Sequence, residues 1–215
     1  MADERLLEEM SKAIVSGLAD RARELAEEAL KEGMDPLTAI EQGFKPGMDV
    51  VGEEFARGEL FIPDLVMSGE AMKTAIAILE PELIRRKQQR KVLGTVVIGT
   101  VQGDIHEIGK TLVSTMLAAS GFDVHDLGVD VSTQQFMDAV RKVNANVLGM
   151  SALLTTTLPN QEKVILSLKE AGLREQVKVI IGGVPTSPEW AEEIGADGYA
   201  ENATEAVEVV KGLLK

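Results

Sequence analysis

The sequence predicts two architectures in series: a bundle of short helices over residues 1–88, then an α/β domain over residues 89–215 built on a five-stranded parallel sheet. Three observations carry this reading. Apolar residues of the first segment recur at helical spacing. Those of the second gather in short runs, each followed by a loop and an amphipathic stretch, the alternation that produces a parallel sheet with helices on both faces. Between the two lies Arg85-Arg86-Lys87-Gln88-Gln89-Arg90-Lys91, a basic and polar stretch that reads as a linker. Its charges fit a solvated tether better than a nucleic-acid contact.

In the first segment, Leu6, Leu7, Met10, Ile14, Val15 and Leu18 fall on one helical face. Asp20 to Leu30 is a second helix, stopped at Gly33. Asp35-Pro36 opens a third, with Pro at the first helical position, carrying Leu37, Ile40 and Phe44. Pro46 begins a fourth, with Met48, Val51 and Phe55, and Gly58 breaks it. Ile62-Pro63-Asp64 begins a fifth, through Leu65, Met67, Met72, Ile76 and Leu79. Short helices with short connections predict an antiparallel bundle.

In the second segment, Val92–Ile98 reads as a buried strand stopped at Gly99, and Lys110–Ser120 as a helix ended by Gly121. Val124–Leu127 is a short strand. Ser132 caps a helix running through Val143. Val147–Met150 is a strand, Leu158–Ala171 a helix, and Val177–Ile181 a strand ending at Gly182-Gly183. Ser187 or Pro188 opens a helix to Ile194, Gly198-Tyr199 forms a short fifth strand, and Thr204–Leu214 is the last helix. The strand order expected for such a Rossmann-like alternation is flavodoxin-like.

Composition narrows the function. A net charge of −13 argues against a phosphate-backbone binder. The absence of cysteine excludes disulfides, thiolate metal sites, iron–sulfur clusters and a Cys nucleophile. The apolar runs fall far short of the roughly 20 residues that a membrane helix needs. The acidic, amphipathic N-terminus is unlike a signal peptide, so the expected location is cytoplasmic, with no membrane partner.

The candidate site falls at the strand ends. Parallel α/β sheets bind ligands at the carboxyl edge, where the loops after the strands converge. The loop after the first strand presents Asp104, His106 and Gly109 in an Asp-x-His-x-x-Gly pattern, with Glu107 and Ile108 between. An imidazole with a carboxylate two residues away can be an oriented metal ligand. The loop after the third strand carries Ser151, Leu153, Thr155 and Thr157, and the fourth strand ends at Gly182 and Gly183, which permit close backbone approach. A phosphate-loop reading is weaker: the P-loop pattern is absent, and Gly103 to Lys110 does not fit G-x-G-x-x-G. His125 lies beside a strand without a pattern and reads as structural; Trp190 reads as packing.

Asp104-x-His106-x-x-Gly109, Ser151-x-Leu153 and Gly182-Gly183, in this order, resemble the signature of cobalamin-binding domains of the methionine synthase type. Glu53-Glu54-Phe55-Ala56-Arg57-Gly58-Glu59-Leu60-Phe61-Ile62-Pro63 resembles the helical cap module of that family, so the resemblance spans nearly the whole chain. With no further catalytic domain in the sequence, the similarity is greatest to stand-alone corrinoid proteins of methyltransferase systems that serve methylamines, methanol, glycine betaine or methoxylated aromatics.

The resemblance implies a cobalamin or related corrinoid, in its methylcobalamin form, with His106 as the lower axial cobalt ligand. Asp104 would hold the other ring nitrogen, and the family's hydroxyl falls on Thr157. The cofactor's nucleotide tail would lie beside Ser151, Leu153, Thr155, Gly182 and Gly183, with Tyr199 and Ala200 beyond. Phe55 and Ile62 match cap residues that shield the methyl group, Ile62 standing where a Leu is expected. The implied role is a carrier, not catalytic alone, in one-carbon metabolism. Its cobalt cycles between Co(I) and methyl-Co(III), and proton uptake by the Asp104–His106 pair is coupled to redox state. The partners implied are a substrate-specific methyltransferase, a second methyltransferase with tetrahydrofolate or a thiol as acceptor, and a reductive activase. The cap would swing aside for each, with residues 85–91 as hinge. Two alternatives remain in view: a subunit of an adenosylcobalamin-dependent mutase, disfavoured by the helical module, and a cobalamin-responsive regulator, disfavoured by the acidic charge and the lack of a spare segment for a DNA-binding domain.

Overall fold

The computed structural model describes residues 2–86, 88 and 92–215. Of the expected linker, Lys87, Gln89, Arg90 and Lys91 therefore lie outside the described residues. Contacts divide the chain into a unit of residues 1–91 and a unit of residues 92–215.

The first unit is helical among its described residues: α1 (Ala2–Val15), α2 (Ala19–Lys31), α3 (Pro36–Thr38), α4 (Lys45–Ala56) and α5 (Ile62–Arg85), with a π-helical turn over Ala39–Phe44 joining α3 to α4. Met10, Ile14, Leu25, Phe44, Met48, Leu65 and Leu79 are fully buried and form its interior. Asp35 caps α3, its carboxylate accepting the Thr38 N–H at 3.3 Å. Asp64 caps α5 by accepting the Phe61 N–H at 2.9 Å.

The break expected before Pro46 is absent. Helical geometry runs from Pro36 through Ala56, and the Lys45 N–H bonds the Ile40 carbonyl, five residues back. Proline in a regular helix interior removes one i→i−4 bond and its ring meets the carbonyl four residues earlier. The wider π turn just upstream moves that carbonyl away, so Pro46 is carried without a break.

The second unit contains β1 (Thr95–Thr100), α6 (Ile108–Ala119), β2 (Asp123–Asp126), α7 (Thr133–Val143), β3 (Val147–Ser151), α8 (Pro159–Glu170), β4 (Lys178–Gly182), α9 (Pro188–Ile194), β5 (Gly198–Tyr199) and α10 (Ala203–Leu213). All strand pairs are parallel, in the order β2-β1-β3-β4-β5. This is the expected flavodoxin-like order. The order reverses between β1 and β3, which opens a crevice at their carboxyl ends.

Strand alternation splits the interior in two. On one face Val97, Leu148, Val179 and Ile181 pack with Phe136, Val140, Ile165 and Leu168. On the other, Val96, Val147 and Ile180 pack with Leu117, Val207 and Val210. Capping accords with the sequence: Ser132 and Gln135 bond each other's backbone N–H at the start of α7, the Gln135 N–H to Ser132 Oγ at 3.4 Å and the Ser132 N–H to Gln135 Oε1 at 2.9 Å.

The first strand is shifted from its expected span. Pairing begins at Thr95 opposite Asp123, and Leu93 is more than half exposed, so Val92 and Leu93 precede the ladder. At the other end the strand passes through Gly99 to Thr100. Gly99 is a packing position, not a stop: a Cβ there would lie 2.8 Å from Cε1 of the buried Phe136 ring.

Candidate functional site

The loops after β1 and β3 flank the switch point, and their side chains meet. The Asp104 side chain is fully buried. Its Oδ1 lies 2.7 Å from His106 Nδ1 and accepts the His106 backbone N–H at 3.1 Å. Its Oδ2 accepts the Leu153 N–H at 2.7 Å, the Leu154 N–H at 3.3 Å and the Thr157 hydroxyl at 2.7 Å. Both oxygens of a buried carboxylate are thus occupied by donors, three of them more than forty residues away in sequence from the acid. Burial pushes the carboxyl pKa up, but these hydrogen bonds outweigh it and hold Asp104 well below the usual carboxylate range.

An ionised Asp104 at Nδ1 fixes the imidazole: Nδ1 carries the proton, and Nε2 is left with a free lone pair. The His106 side chain is 46% exposed and lines a cavity of about 900 Å³. Glu107, Ile108, Gly109, Ser151, Leu153, Gly182, Gly183, Tyr199 and Ala200 line the same cavity. The sequence-derived positions therefore converge from the ends of β1, β3, β4 and β5. Thr155 is exposed on the β3 loop and is not part of this lining. Asp104 and Thr157 stand behind His106, buried. Phe55 and Ile62 belong to the helical unit, on either side of the Gly58 turn; Phe55 is half-buried and Ile62 is exposed. His125 sits 3.2 Å from Asp123 on β2, outside the cavity. Trp190 donates its ring N–H to Gln161 at 3.1 Å while packing on the core, as a structural residue would.

Sequence reasoning missed the floor of the cavity. Ile98, Gly149 and Ile180 are cross-strand neighbours in β1, β3 and β4, a row with its middle side chain missing. Leu112 and Val113 from α6, and Ala203 and Ala206 from α10, complete an apolar trough over that gap. The available signal was a glycine inside an otherwise apolar strand, which marks close approach of another group. Lys110 was also missed. Its side chain lines the cavity nearly buried and is held by both oxygens of Asp126 at the end of β2. Burial and a neighbouring Glu201 push the Tyr199 phenol above its usual pKa, so it is a neutral group at the rim.

The donor set suits a corrinoid. His106 offers one nitrogen, and among the described residues no group of three or more His, Asp or Glu side chains is placed to hold a metal ion. A metal bound here through His106 brings its other ligands with it, as a macrocycle does. The exposed Ile105, Ile108 and Val184 around the imidazole give a flat apolar ring an apolar bed, and the trough beside them accepts a planar appendage.

The chain that builds this arrangement belongs to the B12-binding family. The B12 binding domain model matches residues 94–208, and a second B12 binding domain model matches residues 6–80. Among curated relatives, dimethylamine corrinoid protein 2 of Methanosarcina acetivorans is 50% identical over 98% of this chain and 97% of its own length. Trimethylamine corrinoid protein 2 of Methanosarcina mazei is 47% identical over 99% of this chain and 97% of its own. Among solved structures, a chain of the methanol:cobalamin methyltransferase complex of Methanosarcina barkeri matches with a TM-score of 0.87 and 31% identity, covering 98% of this chain and 80% of that one. The resemblance carried by the motifs thus holds along the whole chain. No helix among the described residues is long and apolar enough to cross a membrane.

Proposed function

We propose that this chain carries a methyl group on a corrinoid between a substrate-specific methyltransferase and a second, acceptor methyltransferase. The single observation that carries the reading is the 2.7 Å contact of His106 Nδ1 with the buried Asp104 carboxylate while the His106 ring lines the cavity. When bound, the cobalt supplies the chemistry, as a Co(I) nucleophile that takes up methyl and a methyl-Co(III) donor that releases it.

The protein's residues set the conditions for this. His106 would hold the cobalt through Nε2. Asp104 and Thr157 fix the ring's orientation through Nδ1, as a carboxylate partner on the far nitrogen of a ligating imidazole does. Ser151, Leu153, Gly182, Gly183, Tyr199 and Ala200, which line the cavity with the trough over Gly149, would hold the nucleotide tail. Phe55 and Ile62, which match cap residues of the family, would be the residues that shield the methyl group. A reductive activase would be a further partner, supplying the electron that returns an oxidised cobalt to its nucleophilic state.

Similarity to methylamine corrinoid proteins near half identity, against 31% for the methanol system, favours a methylated amine as donor. The test is a coupled assay. The protein, reconstituted and reduced to Co(I), is mixed with a dimethylamine or trimethylamine methyltransferase and its amine, or with a methanol methyltransferase and methanol. Appearance of the methyl-corrinoid spectrum with an amine supports the reading. Methylation by methanol alone would reassign the donor, and methylation in neither system would overturn the carrier role.

A further inference from the structure

The loop after β2 holds the other side of the Asp104 backbone, through a residue that none of the site motifs contains. Asp130 has φ +53, a left-handed conformation, facing Gly103 at φ +81. Its carboxylate Oδ1 accepts the Gly103 N–H at 2.7 Å, and its own N–H donates to the Asp104 carbonyl at 2.9 Å. The two bonds grip residues 103 and 104 at both ends. The neighbouring backbone is stitched to the same loop: the Thr100 N–H bonds the Gly128 carbonyl at 3.0 Å, and the Val131 N–H bonds the Thr100 carbonyl at 2.9 Å. From below, the buried Thr100 hydroxyl donates to the His106 carbonyl at 2.9 Å.

We propose that Asp130 is a positioning residue for the axial ligand: by clamping the Gly103–Asp104 backbone it fixes where the Asp104 carboxylate meets His106 Nδ1, and so where Nε2 points. The geometry selects the residue type. Left-handed backbone excludes most L residues and leaves Gly, Asn and Asp, and only the last two bring a side-chain oxygen. The geometry stands independently of the cofactor; the consequence for cobalt ligation rests on the reading of His106 given above.

Asp130→Gly keeps the backbone conformation and deletes the acceptor, and Asp130→Asn keeps both. Asp130 is exposed and glycine is favoured at positive φ, so the Gly variant folds. The first readout is the apoprotein: exchange of the His106 Nδ1 proton with water, followed by nitrogen-15 NMR. The second is cobalamin-loaded protein reduced to Co(II), where splitting by a single axial nitrogen in the electron paramagnetic resonance spectrum counts the ligated fraction. Asp130→Gly is expected to speed proton exchange roughly tenfold, the scale of one hydrogen bond to a charged acceptor, and to lower the ratio of ligated to unligated cobalt by a similar factor. Asp130→Asn is expected to restore both. Protection in Asp130→Gly equal to wild type, or Asp130→Asn as impaired as Asp130→Gly, would overturn the inference. If exchange responds as stated while no variant takes up cobalamin, the positioning role stands and the cobalamin function fails.

Discussion

Thr157→Val isolates one contact of the buried acid. Valine has nearly the shape of threonine and lacks only the hydroxyl. Thr157 Oγ1 lies 2.7 Å from Asp104 Oδ2 and 2.9 Å from the Leu154 carbonyl, and its single proton goes to the closer, charged acceptor. The Leu154 carbonyl keeps the Thr157 and Leu158 N–H groups, so the substitution leaves no orphan there. Oδ2 keeps the Leu153 and Leu154 N–H groups but loses the one side-chain donor it has among the described residues. A hydrogen bond to a charged group contributes about 1.5–3 kcal/mol. At about 4 °C per kcal/mol for a domain of this size, the melting temperature of the α/β unit should fall by roughly 6–12 °C at neutral pH. The pH dependence has a definite sign. Asp104 is depressed below its ordinary 3.8, so its stabilisation is complete above that value and lost as pH falls below it toward the folded pKa. Thr157→Val reduces the depression, so the gap between variant and wild type holds from neutral pH down past 3.8 and narrows only as pH falls through the variant's own folded pKa, which lies below 3.8 and above that of wild type. Thr157→Ser keeps the donor and should stay within about 1 kcal/mol of wild type. Thermal melts of the three proteins from neutral to acid pH decide it. A Val variant as stable as wild type, or a gap that does not narrow with acid, would refute the assignment of the hydroxyl to a buried carboxylate.

Other substitutions test the cavity. Gly149→Val fills the trough; even a first Cβ there would stand 3.2 Å from Ile98 Cγ1. Valine suits a strand backbone, so the expected result is a folded protein that binds cobalamin at least about tenfold more weakly while keeping affinity for cobinamide, which lacks the nucleotide base. Equal loss for both corrinoids in a binding titration would place the tail elsewhere. Gly183 has φ +123, and a Cβ on it would overlap the Ala152 carbonyl on the neighbouring loop. Gly183→Ala should therefore cost about 2 kcal/mol or more in a denaturation curve, whereas Gly109→Ala, with no atom within 4 Å of its Cβ, should change stability little.

What the sequence reveals here follows the range of the physics. The alternation of apolar runs and amphipathic stretches is local, and it carries the strand order because parallel pairing leaves few topologies. Asp104, His106 and Gly109 are legible because they sit within one loop. The Asp104–Thr157 contact closes over 53 residues, and the motif order alone brings those positions together. Features set by packing were not legible. Gly99 looks like a stop and is a berth for the Phe136 ring. Pro46 looks like a helix start and is carried inside a continuous helix by a π turn. The trough over Gly149 needs three strands in register before it exists. Asp130 gives no signal in sequence, since an aspartate in a loop is unremarkable until its φ and its partners are seen.

The central claim is that His106 Nε2, aimed by Asp104, is the lower ligand of a corrinoid cobalt. The direct test is reconstitution with cobalamin, wild type against His106→Ala, reading the absorption spectrum and the Co(II) electron paramagnetic resonance spectrum. The structure predicts stoichiometric binding in the wild type with splitting by one axial nitrogen. In His106→Ala the tail slot still binds cobalamin, and the protein nitrogen's contribution to the spectrum is gone. Absence of cobalamin binding by the wild type, or a spectrum that His106→Ala leaves unchanged, would contradict it.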